Sequence, residues 1–200
     1  MNAVRAFIAL ELPKVTRDAL SDVQARLSQH APRGSVRWVN SDNIHLTLKF
    51  LGQVPTAQIE AISLALRRAV GALPVFPFEV MRVGCFPDTQ RPRVVWVGID
   101  EPSGALHTLQ RAVESATAPL GYPTDPRPFQ PHLTLGRTGR SVRPADLHKL
   151  GEGVLATKVG LLGHVHAEEV VLFQSEFSPG GSIYTALARF PLARERHRSD

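Results

Sequence analysis

The chain has 200 residues, 43% of them apolar, a formal charge of +5 and an isoelectric point near 10.0. That is enough chain for one large domain or two intimate lobes around a real core, and it excludes a disordered or fibrous composition. A single cysteine, Cys85, excludes an intrachain disulfide and a cysteine-based metal cluster, and no apolar run approaches the roughly 20 residues that span a bilayer.

The N-terminal segment meets charge too early for a secretory signal, so the expected location is the cytoplasm, with no membrane partner. Part of the basic excess is the tail Arg194-Glu195-Arg196-His197-Arg198, which reads as a solvated end. The mild surplus left on the body points towards a phosphate-bearing partner.

In chain order, Val4 to Leu12 reads as a buried strand stopped by Pro13. Val15, Ala19, Leu20, Val23 and Leu27 then recur at helical spacing. Val36–Val39 is a short strand and Ile44–Leu51 a longer one, broken by Gly52 and Pro55. Thr56 is placed as the N-cap of a helix using Ile59, Ile62, Leu66 and Val70. Phe78–Phe86 and Arg93–Ile99 are strands joined by a Pro-bearing loop, and Ser103 is placed to cap a helix using Leu106, Leu109 and Val113. The Pro-rich stretch 119–131 leads into another strand, and a short helix is expected over Ala145–Leu150. Val170–Phe177 and Ile183–Phe190 close the chain around a Pro-Gly-Gly turn.

The order is not strictly alternating strand and helix, which argues against a doubly wound parallel sheet. It predicts an α+β protein of two pseudo-symmetric lobes of mainly antiparallel sheet, with outer helices and an active-site groove between the sheets. One domain is expected over residues 1–192, followed by a basic flexible tail over 193–200.

His-Leu-Thr-Leu occurs twice, at 45–48 and 132–135, each time in strand context. Residues two apart on a strand share a face, so His45 projects with Thr47 and His132 with Thr134, while the leucines turn inward. A single copy reads as a strand with a histidine satisfied by a neighbour. Two copies facing across a groove supply two proton-transfer groups and two hydroxyl donors around one substrate. Imidazoles titrate near pH 6.5, so one neutral and one protonated ring can share a site, one taking a proton from water and the other giving one to a leaving oxygen. Thr47 and Thr134 can donate to non-bridging phosphate oxygens. Spacing alone does not say which histidine does which.

The two motifs, with Phe129-Gln130-Pro131 before the second, the opening Arg5-Ala6-Phe7-Ile8-Ala9-Leu10, Val95-Trp96-Val97-Gly98, and Leu172-Phe173-Gln174-Ser175-Glu176 followed by Gly181 and Tyr184, resemble the two-histidine (2H) phosphoesterase superfamily. Within it they are similar to the RNA 2′,3′-cyclic phosphodiesterases, the LigT-like 2′-5′ RNA ligases. The resemblance implies hydrolysis of an RNA 2′,3′-cyclic phosphate end to a 2′-phosphomonoester by a monomer without metal or other cofactor, with 2′-5′ ligation as the reverse reaction. It implies His45 as proton donor, His132 as proton acceptor and Arg137 as a phosphate ligand. Strand parity objects to Arg137, five positions after His132, unless Gly136 hosts a bulge.

Lys49 has groove parity, and it reads equally as a substrate contact or as a solvated lysine at the rim. His164 and His166 share a strand face at metal-ligand spacing but lack an obvious third ligand, and they read as exposed strand histidines. Phe129 is a candidate for stacking on a base, whereas Trp38 reads as core. Two other readings remain open. One keeps the site but changes the substrate to a small cyclic nucleotide, an ADP-ribose cyclic phosphate or 2′-5′ oligoadenylate. The other is a non-catalytic RNA-binding module.

Overall fold

The apolar run Phe7-Ile8-Ala9-Leu10 lacks the alternation of a half-exposed strand because its strand, β1 (Ala3–Leu10), is covered on both faces. β1 lies between β3 (Leu46–Pro55) and β8 (Glu169–Ser178), both antiparallel to it. The computed structural model describes residues 2–179 and 181–194. Its other strands are β2 (Val36–Trp38), β4 (Phe76–Phe86), β5 (Val94–Asp100), β6 (His132–Thr138), β7 (Leu161–Ala167) and β9 (Gly181–Pro191). The α-helices are α1 (Lys14–His30), α2 (Ile59–Val70), α3 (Ala105–Thr117) and α4 (Pro144–Ala156).

The strands run in the order β7-β4-β5-β6-β3-β1-β8-β9, with β2 also on β6. Two four-stranded antiparallel halves are therefore joined in the middle, where Leu46 pairs with Leu133. The expected α+β architecture of two antiparallel lobes is present, with the refinement that both lobes belong to one sheet.

The helices are exchanged between halves. α1, from the first half of the chain, packs against α4 and β7 on the second lobe. α3, from the second half, packs against α2 and β3 on the first. Leu20, Val23 and Leu27 of α1 and Leu106, Leu109 and Val113 of α3 are fully buried, as their spacing predicted.

Several boundaries differ from the sequence reading. β3 does not stop at Gly52. The glycine adopts φ +75°, which a residue without Cβ tolerates, and pairing continues to Ala3↔Pro55. Thr56 opens a 3₁₀ turn and its hydroxyl donates to Asn2 O, so it does not cap α2. Glu101 joins Ser103 in capping the start of α3: its carboxylate accepts from the Leu106 and Ser103 backbone N–H groups at 3.0 and 2.9 Å, and Ser103 Oγ accepts from Ala105 N–H at 3.3 Å. α4 runs well beyond Leu150. Its glycines are helical because a Cβ at Gly151 would collide with the Thr89 backbone and one at Gly153 with the His30 side chain. At the C-terminal end, Ala193 donates to Leu73 O and accepts from Val75 N–H, so the expected tail is tied down at its first residue. Residues 195–200 of that tail lie outside the described residues.

Candidate active site

Pairing of Leu46 with Leu133 in antiparallel register sets the neighbours: His45 lies across from Thr134, and Thr47 across from His132. Leu46 and Leu133 are fully buried on the core side, so the four polar residues share the opposite face. The quartet has a local twofold arrangement. In such a lattice His45 and His132 are diagonal partners, a relation that places residues about 7–8 Å apart.

Each imidazole is held by a backbone carbonyl two residues earlier. His45 Nδ1 lies 2.8 Å from Asn43 O, and His132 Nδ1 lies 2.7 Å from Gln130 O. A carbonyl only accepts, so each Nδ1 carries the hydrogen and each Nε2 is left to exchange a proton. Asn43 is itself anchored, its side-chain amide donating to Ser182 O at 2.6 Å.

The two rings have different surroundings. His45 stacks on Phe7 with centroids 4.6 Å apart and meets the edge of Tyr184 at 5.3 Å, while Phe173 backs Phe7 at 5.2 Å. Burial among these rings pushes its pKa below the ordinary histidine value, against the raising effect of the Asn43 bond. His132 meets the edge of Phe86 at 5.0 Å. Its pKa is also lowered, first by burial and further by the positive charge of Arg137, against the raising effect of the Gln130 bond.

Arg137 reaches the site through a bulge. On β5 and β6, Trp96 pairs with Thr134 but Val95 pairs with Gly136, leaving Leu135 as an extra residue. The bulge turns Leu135 and Gly136 inward and puts Arg137 on the face shared with Val94, which lines the groove. Gly136 is required by close approach, since a Cβ there would lie 2.6 Å from Val36 Cγ1 and 2.9 Å from Trp38 Cε3. The Leu135 carbonyl accepts from Val39 N–H and from the Gln24 amide, both at 2.8 Å. Gln24 was invisible as a site residue in the sequence, because it occupies an ordinary polar position on α1.

The first motif has the same bulge. Thr47 pairs with Ala9 but Lys49 with Ile8, leaving Leu48 as the extra residue. Lys49 is thereby turned inward, and at 6% exposure it is not a solvated rim lysine, although it contributes to the lining of the groove. Its ammonium pairs with Glu114 of α3 and donates to Tyr122 O at 2.8 Å, at the root of the Pro-rich segment that leads to His132. Phe50 takes the place in the first half that Arg137 takes in the second. It is 64% exposed and lines the groove, a signal hidden in the sequence by the usual reading of a strand phenylalanine as core.

The groove has a volume of about 930 Å³ and is lined by Thr47, Phe50, Phe86, Arg127, Phe129 and His132 among others. His45, packed against Phe7 and Tyr184, is not among its lining residues, and neither are Thr134 and Arg137. A second hollow of about 430 Å³ continues past His132 to Trp96 and His107. Trp38 packs against the core, as read from the sequence, and Phe129 sits at the groove wall with its ring against His107. His164 and His166 are exposed on β7, with His164 Nδ1 3.5 Å from Glu79. Among the described residues no group of three or more His, Cys, Asp or Glu is placed to hold a metal, and no described helix is long and apolar enough to cross a membrane.

The sequence profile of the LigT like phosphoesterases matches the chain twice, over residues 10–96 and 97–184, one motif in each match. The chain belongs to the LigT-like phosphoesterase family. Each matched segment carries one copy of the bulged motif. The chain is 32% identical over 189 residues to a protein of Methanothermobacter thermautotrophicus named RNA 2′,3′-cyclic phosphodiesterase, covering 94% of this chain and 99% of that one. It is also 32% identical over 190 residues to the Escherichia coli K12 protein of the same name, covering 95% and 97%. The crystal structure of Escherichia coli LigT complexed with 3′-AMP matches with a TM-score of 0.76 at 30% identity, over 96% of this chain and 99% of that one. The protein is thus a LigT-like enzyme of the phosphoesterase class.

Proposed function

We propose that this phosphoesterase hydrolyses RNA ends carrying a 2′,3′-cyclic phosphate to 2′-phosphomonoesters, by metal-independent acid–base catalysis from its two histidines. The observation that carries the reading is the twofold quartet of His45, Thr47, His132 and Thr134, with both Nδ1 atoms committed to carbonyls. The names of the full-length relatives support the substrate class.

In the proposed step, a water oxygen attacks phosphorus, and His132 Nε2 takes the proton that water loses. The bond from phosphorus to the ribose O3′ breaks, and His45 Nε2–H gives its proton to that oxygen. The products are a 2′-phosphate and a free 3′-hydroxyl, so atoms and charge balance. Assignment of His132 as the base is favoured by Arg137, whose charge disfavours a proton on that ring. Bound anionic phosphate raises the pKa of both rings, which keeps His45 charged in the complex. Thr47, Thr134 and Arg137 donate to the non-bridging oxygens, where negative charge grows. When a 5′-hydroxyl takes the place of water as the nucleophile, His132 takes its proton, His45 protonates the departing O3′, and the product is a 2′-5′ linkage.

Two imidazoles with locked tautomers have no purpose in a non-catalytic RNA-binding module, and the catalytic reading is preferred on that ground. The working unit is taken as a cytoplasmic monomer with one domain over residues 1–192. The test is incubation of an oligoribonucleotide ending in a 2′,3′-cyclic phosphate with the protein and excess chelator. Appearance of a 2′-phosphate end is expected. No turnover, a 3′-phosphate product, or turnover abolished by chelation and restored by metal would overturn the reading.

A further inference from the structure

Arg37 and Arg137 are direct partners across β2 and β6. Cross-strand partners project from one face. The next pair along, Trp38 and Gly136, turns inward to the core, so both arginines leave the opposite face. On its other side Arg137 pairs with Val94, a lining residue of the groove. A row of Arg37, Arg137 and Val94 thus runs from beside the groove into it.

Like charges directly opposite each other on a sheet repel. An adjacent carboxylate would relieve this, yet neither guanidinium has one within ion-pair distance among the described residues. The arginines that are so paired are Arg17, Arg82, Arg127, Arg143, Arg189 and Arg194. Arg37 and Arg137 are both exposed and their forks are uncommitted. Two free guanidiniums held side by side, one of them at the reacting phosphate, fit two neighbouring anions.

We propose that Arg37 forms a second anion subsite that binds the phosphodiester adjoining the terminal cyclic phosphate of an RNA strand. The inference rests on the proposed function and deepens it. A mononucleoside cyclic phosphate has one phosphate, held by the histidines, threonines and Arg137, and leaves Arg37 idle. An RNA strand engages both. Arg37 therefore selects polynucleotide over mononucleotide, which decides between the two enzymatic readings of the sequence.

The experiment measures kcat/KM on an oligoribonucleotide ending in a 2′,3′-cyclic phosphate and on a nucleoside 2′,3′-cyclic monophosphate, for wild type, Arg37→Ala and Arg37→Lys, over a range of salt. Loss of one charge-assisted contact lowers the oligonucleotide-to-mononucleotide selectivity about tenfold or more in Arg37→Ala. The log–log salt slope for the oligonucleotide falls by about 0.7, the value for one phosphate on a single strand. Arg37→Lys retains most of that slope. Equal effects of Arg37→Ala on both substrates, or none on the oligonucleotide, would overturn the subsite while leaving the proposed reaction intact. Wild-type failure on both substrates would overturn the two together. Thermal melts of each variant confirm that the folded state is compared.

Discussion

Leu46 and Leu133 face each other as the pair through which β3 and β6 join the two halves of the sheet, and both side chains are fully buried. Each is flanked by the histidine and threonine of its own motif. One apolar pair therefore fixes the relative placement of four polar groups contributed by two distant segments of chain. In the proposed reaction the two histidines act on one phosphorus, so each depends on the other. His45→Ala and His132→Ala are each expected to lower kcat by about 10²–10⁴-fold. The double variant should fall far short of the product of the two losses. Single-turnover rates on a cyclic-phosphate-ended RNA check this, and near-normal rates in both single variants would remove the acid–base account.

The pH dependence follows from the directions of the two shifts. Burial lowers the pKa of both rings in the free enzyme, and the Arg137 charge adds to the lowering at His132. The kcat/KM profile, which reports free enzyme, should therefore be a bell centred on the acid side of about 6.5. The base must be neutral, so its limb is lost as pH falls through its pKa. Removing the nearby cation in Arg137→Gln raises that pKa, and the acid limb should move to higher pH. An unmoved limb would detach Arg137 from His132.

Stability should respond in the same window. A histidine with a lowered folded-state pKa takes up its proton more readily when the chain is unfolded. Stability is therefore full above the unfolded value of about 6.5 and declines as pH falls through it towards the folded values. Urea titrations at a series of pH values should show a shallower decline in His45→Gln, which has no proton to gain. An identical slope would mean that His45 is not held neutral by its aromatic surroundings.

The alternation that puts His45 with Thr47 and His132 with Thr134 was legible in the sequence, because period two needs only local residues. So was the division into two halves. The bulges were not. Nothing in the residue types of Leu48 or Leu135 marks them as extra residues, and only Gly136 gave a hint for the second. Strict alternation consequently put Lys49 on the groove face beside Thr47, whereas the register turns its ammonium in to Glu114 and exposes Phe50 at the groove. α4 was read short because Gly151 and Gly153 count against a helix locally, whereas both are there for close packing on other segments. The helix exchange rests on contacts between segments far apart in the chain, and no local pattern encodes it.

Lys49 and Glu114 form a buried pair at the root of the segment that leads to His132. Breaking one side leaves a buried charge uncompensated, at a cost of about 3–5 kcal/mol. Lys49→Met should therefore lower Tm by roughly 6–20 °C for a domain of this size. Replacing both partners, as Lys49→Met with Glu114→Leu, should recover most of the loss, because no isolated charge remains. Calorimetry on the two variants checks this. A double variant as unstable as the single would assign the effect to packing.

Gly136 tests whether the second bulge serves the chemistry. The position has no room for a methyl group, with Val36 Cγ1 at 2.6 Å and Trp38 Cε3 at 2.9 Å from where it would sit. Gly136→Ala must push β2 away from β6, at about 1–3 kcal/mol for overpacking. The displacement acts on Arg137, the next residue, and on the Leu135 carbonyl held by Gln24. Activity should thus fall by more than the loss of folded protein explains, with a rise in KM for the phosphate-bearing substrate. Gln24→Leu acts on the same bulge from behind. It leaves the Leu135 carbonyl with its Val39 bond alone, and should reproduce the KM effect without any clash. If both variants keep wild-type KM at temperatures where they are fully folded, the bulge is a packing feature and Arg137 finds the phosphate without it.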